Sequence, residues 1–76
     1  LGTDLSVLYG MPQSKETGEI GKRLIRAALE KEDVFRGRSI VIDAIPTSSD
    51  SIRFDVHMIT DKTDPIVLSV TQSLGA

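Results

Sequence analysis

The sequence has no cysteine and no tryptophan, a single histidine, two phenylalanines and one tyrosine. Without cysteine there are no disulfides, and His57 alone cannot assemble a zinc site, which needs several nitrogen or sulfur ligands. The lack of thiols also fits a reducing compartment. No apolar run is long enough for a signal peptide or a transmembrane helix. Nor is there an excess of basic residues: nine Lys and Arg against eleven Asp and Glu leave a net charge of -2. That balance offers no general attraction to nucleic-acid phosphates or anionic lipid, so neither nucleic acid nor a membrane is expected as a partner. No cofactor is expected either.

What is present is an ordinary soluble composition, 39% hydrophobic and 26% charged, which sets the chain apart from disordered tails. At 76 residues it reads as one small domain with a thin core. Domains of this size draw support from disulfides, a metal or a partner chain. With the first two excluded, a partner chain is the expected support. The first residue is Leu1 rather than methionine, so the chain reads as a fragment of a longer protein lacking its N-terminus.

The most regular stretch is Ser51 to Thr60. Ile52, Phe54, Val56 and Met58 alternate with Arg53, Asp55 and His57, the period of a strand with one buried and one open face. This strand is expected to lie at the centre of a sheet, with Phe54 and Val56 the most buried side chains, packed against Ile20, Leu24 and Ala28.

Upstream, Leu1, Leu5, Leu8 and Tyr9 give one apolar face to a short N-terminal helical segment that Thr3 or Asp4 can cap. Two turns cannot hold themselves in water, so this segment needs a surface. Ser14 to Lys31 carries the main helix, its apolar stripe made of Ile20, Leu24, Ile25, Ala27, Ala28 and Leu29. Gly18 and Gly21 each cost about 1 kcal/mol of helix propensity. That places the firm start near Thr17 and favours a frayed first turn over a close approach by another element. Gly37 then ends a connection, and Ser39 to Ile45 forms a strand rich in Ile and Val.

Pro46 to Asp50 is turn chemistry and predicts a hairpin. Pairing Ile40, Ile42 and Ala44 with Val56, Phe54 and Ile52 puts Asp43 across from Arg53. After a polar turn at Asp61 to Asp64, Pro65 opens a third strand with Ile66, Leu68 and Val70 inward, and Ser73 to Ala76 is an unstructured end. The fold class is therefore α+β: a three-stranded antiparallel sheet, order 1-2-3, with one main helix on one face. Val41 and Ile45 fall on the open face, and both outer strands leave backbone groups unpaired, which points to a partner there.

Chemistry is hard to find. A nucleophilic triad needs a serine and an acid around His57, yet the nearby serines lie on regular strands. Asp61 and Asp64 lack the spacing of a calcium loop. Glu16, Glu19, Asp43 and Asp55 are the candidate carboxylates for glycoside hydrolysis. The first two sit at a solvated helix start, and Arg53 beside the other two lowers rather than raises a carboxyl pKa. Arg36 and Arg38 around Gly37 can meet a phosphate or an acidic partner, although loop arginines are usually just solvated.

The order of signals, L-G-T-D-L-S-V-L, a helix ending A-A-L-E-K, then I-V-I-D-A-I, a Ser/Asp turn, S-I-R-F-D-V-H-M-I and P-I-V-L-S-V-T-Q-S-L-G, resembles the baseplate-wedge, sheath-initiator family of contractile phage tails. Members also serve type VI secretion baseplates. Where the family carries Glu-Pro-Arg after the main helix, this chain has Asp33, Val34, Phe35 and Arg36, keeping an acid and a displaced arginine.

The resemblance implies a structural, non-enzymatic part of a virion tail baseplate, or of a secretion machine in the bacterial cytoplasm. Its partners would be other baseplate wedge proteins and sheath subunits, joined in part by strand addition. Some members carry a lysozyme label, for which the carboxylates above give no support. The candidate partner-binding residues are Asp33, Arg36, Arg38, Val41 and Ile45. The alternative from another class is a small regulatory or ligand-sensing α+β domain excised from a larger protein.

Overall fold

Ser14 is a strong helix cap, and helix α1 (Lys15–Leu29) starts directly after it. Its hydroxyl oxygen accepts the Thr17 N–H at 3.2 Å, and the buried Thr17 hydroxyl donates to the Pro12 carbonyl at 2.7 Å. The structure, a computed structural model, describes residues 4–59 and 65–75. Leu1, Thr3, Thr60, Asp61 and Asp64 lie outside the described residues.

A 3-10 turn, Leu5–Leu8, precedes α1 and takes the place of the expected short helix; the Asp4 side chain accepts the Ser6 N–H and caps it. A second 3-10 turn, Asp33–Phe35, follows α1. Then come β1 (Ile40–Ser48), β2 (Ser51–Met58) and β3 (Ile66–Ser73), paired antiparallel in the order β1-β2-β3. The domain is α+β, with α1 and the first 3-10 turn on one face of the sheet.

Helix α1 does not fray at its glycines. It begins ahead of them because other elements approach there. A Cβ on Gly21 would overlap the Phe54 ring, and one on Gly18 would lie 3.2 Å from the Ala44 Cβ. The buried stripe of α1 is Thr17, Gly18, Gly21, Ile25, Ala28 and Leu29; Ile20 and Leu24 sit at its margin and Ala27 is exposed.

Phe54 and Val56 are fully buried, as their alternation requires, and Leu8 and Ile25 are buried as completely. Leu74 joins this core instead of trailing off. Its N–H donates to the Asp50 carbonyl and its carbonyl accepts from the Gly10 N–H, both at 2.7 Å.

The hairpin differs from the expected register by two residues. Ile42 faces Val56, Ala44 faces Phe54, and Asp43 faces Asp55 rather than Arg53. The reason is that β1 continues through Pro46 to a bulge before Ser48, leaving Ser49 and Asp50 as the turn. The Gln13 amide closes this end by donating to the Ser48 and Ser51 carbonyls at 2.8 and 2.9 Å. In β3, Leu68 and Val70 point inward as expected and pack against the core, opposite Val56 and Phe54. Ile66 does not point inward: a bulge at Val56/His57 sets it opposite His57, and it is exposed.

Candidate functional site

The sheet face away from α1 carries Val41, Asp43 and Ile45 from β1, Arg53, Asp55 and His57 from β2, and Ser69 and Thr71 from β3. At its centre Asp55 is buried, held by the Ser69 hydroxyl at 2.6 Å and by Arg53 Nε at 3.1 and 3.3 Å. The Ser69 hydrogen bond, then the bond and charge of Arg53 and the charge of His57, hold its carboxyl below the ordinary range against the opposing effect of burial. Asp43, directly across the ladder, meets His57 Nε2 at 3.2 Å. Like charges opposite one another are unfavourable, and Arg53 and His57 offset this pair.

This arrangement orders the face without activating a nucleophile. The Ser69 hydroxyl is directed to a carboxylate whose proton affinity is reduced, and such a group is a poor general base. Glu16 and Glu19 lie on α1, across the sheet from Asp43 and Asp55, so the four carboxylates do not converge. Among the described residues no group of His, Asp or Glu is arranged to hold a metal ion, and no helix is long and apolar enough to cross a membrane.

Of the candidate partner-binding residues, the structure brings Val41 and Ile45 together on the open face of an outer strand, opposite His57 and Arg53. Asp33, Arg36 and Arg38 belong instead to the exposed turn between α1 and β1. Asp33 and Arg36 pair with each other at 3.1 Å with both side chains largely in solvent, and the Arg38 N–H donates to the Phe35 carbonyl at 3.1 Å. An exposed pair of this kind contributes little to stability.

The backbone of β1 defines the site more sharply than its side chains do. The Ile59 N–H donates to the Ser39 carbonyl at 3.0 Å. By antiparallel alternation, Val41, Asp43 and Ile45 then direct their N–H and C=O groups to β2, while those of Ile40, Ile42 and Ala44 face outward. Pro46 is at an outward position, where its missing N–H leaves the ladder intact. No other strand pairs with this edge among the described residues.

Beside the edge runs a groove of about 420 Å³ between α1 and β1, lined by Gln13, Lys15, Gly18, Lys22, Ala44 and Pro46 among others. Lys22 and Arg26 lie further along the same flank of α1 as Lys15. Their spacing from Lys15 is visible in the sequence, but its relation to β1 depends on the packing of Gly18 against Ala44. No family model matches the chain, and neither the curated proteins nor the solved structures provide a match.

Proposed function

We propose that this domain is a structural component of a contractile-tail or injection-machine baseplate and nucleates sheath assembly through protein contacts that include strand addition. The observation that carries the reading is the outer edge of β1, with the outward donors of Ile40, Ile42 and Ala44 and apolar Val41 and Ile45 beside them. Such an edge accepts a strand through backbone hydrogen bonds, and side-chain neighbours then select which strand. A thin core that would gain from a partner supports the same reading, as does the family resemblance of the sequence. The partners in this reading are other wedge proteins and sheath subunits.

The groove between α1 and β1 is the observation favouring the alternative, a ligand-sensing domain. Deleting the gene separates the two. Electron microscopy should then show tubes and baseplates without sheath, whereas sheathed tails in normal number would contradict the assembly role.

A further inference from the structure

Helix α1 follows the outer edge of β1 in the opposite direction: Gly18 packs against Ala44, and the Arg26 guanidinium reaches the Ile40 carbonyl at 3.4 and 3.5 Å. Lys15, Glu19, Lys22 and Arg26 are spaced i, i+4, i+7 and i+11, which sets them in one row along this flank. Lys15, Glu19 and Lys22 line the groove itself. Glu19 is the one acid in the row and is held by Lys22 at 3.7 Å, so the flank above the edge is cationic. On the opposite side of the same edge, Val41 and Ile45 are apolar, and Asp43 between them is turned to His57.

A strand entering along β1 therefore meets two unlike surfaces, and its side chains point alternately to each. From this we infer that the β1 edge takes an extended segment of another chain in which acidic residues alternate with apolar ones. The acids face Lys15, Lys22 and Arg26, and the apolar residues lie beside Val41 and Ile45. Pro46, with no donor to give, limits the pairing to the outward groups of Ile40, Ile42 and Ala44 at that end. Strand β3 carries no charged residue and offers nothing of its own to select such a segment. This assignment rests on the strand-addition reading above and specifies its edge and its partner chemistry.

The test uses a synthetic peptide alternating glutamate with valine, long enough to span Ile40 to Pro46, and its counterpart with lysine in place of glutamate. Each is added to the isotope-labelled domain while amide exchange and chemical shifts are followed by NMR. The glutamate peptide should slow exchange at Ile40, Ile42 and Ala44, and the lysine peptide should not. Combining Lys15→Glu with Lys22→Glu should weaken the glutamate peptide about tenfold, with an unchanged melting temperature showing that the fold survives.

Equal binding of the two peptides, protection at Ser69 and Thr71 instead, or no effect at about 1 mM peptide would each overturn the assignment. Protection at Ser69 and Thr71 would leave strand addition standing and move it to β3. Loss of sheath on gene deletion reports on the assembly role whatever the peptides do.

Discussion

Gly21 lies against the ring of Phe54 with no room for even a methyl group between them. The ring is fully buried, so it has nowhere to move without displacing Ile25 or its other neighbours in the core. Gly21→Ala should therefore destabilise the domain, because overpacking of about 1 to 3 kcal/mol outweighs a helix-propensity gain of about 1 kcal/mol. Gly18→Ala meets only the Cβ of half-buried Ala44 and should come out at least about 1 kcal/mol more stable than Gly21→Ala. Thermal or urea unfolding of the two variants checks this, and equal midpoints would refute the packing.

Asp55 makes stability depend on acidity in a definite direction. Its folded pKa is lowered by Ser69, Arg53 and His57, so between the folded and unfolded values the unfolded chain binds more protons. The contribution is complete above the unfolded value, about 4, and is lost as pH falls through the lower folded value. Asp4, lowered by its bonds to Ser6, acts in the same direction. The informative quantity is therefore the difference between wild type and Asp55→Asn. Urea midpoints of the wild type should fall more steeply than those of Asp55→Asn on acidification from about pH 5 to about pH 2; parallel curves would contradict the assigned contacts.

Leu74 should matter as much as a residue in the middle of a strand. Its side chain is buried and its backbone ties Gly10 to Asp50. Leu74→Ala is expected to cost about 2 to 5 kcal/mol, read from equilibrium unfolding. A change below about 0.5 kcal/mol would mean the segment packs only loosely.

The alternation of Ile52, Phe54 and Val56 made the central strand readable, and the cap and apolar spacing made α1 readable, because these signals are local. The register of β1 was not readable in the same way. Proline normally signals a turn, and whether Pro46 can stay in a strand depends on which way its nitrogen faces, a property of the pairing itself. Likewise Leu74 is one apolar residue among Gln72, Ser73 and Gly75, and its burial depends on the first 3-10 turn and the hairpin end meeting it. Gly18 and Gly21 looked like weak points of a helix until Ala44 and Phe54 were placed beside them. At the site, Val41 and Ile45 were visible as misplaced apolar residues. The cationic row of Lys15, Lys22 and Arg26 was hidden because it takes meaning only from its position over β1.

Proline substitutions follow from the direction of each N–H. Ala44→Pro removes an outward donor and should leave a folded domain, whereas Val41→Pro removes a bond to β2 and should cost about 1 to 3 kcal/mol more. Unfolding curves rank the two, and the reverse order would show that the pairing alternation is misassigned. In assembly, Ala44→Pro should interfere with partner binding while remaining folded.

The most direct test of the account is hydrogen exchange along β1, measured on the isolated domain and on the domain in its assembly. Alone, the amides of Ile40, Ile42 and Ala44 should exchange quickly while those of Val41, Asp43 and Ile45, bonded to β2, exchange slowly. In the assembly both sets should be slow, because a new strand pairs with the outward groups. Outward amides that exchange as fast in the assembly as in the isolated domain would contradict strand addition at this edge.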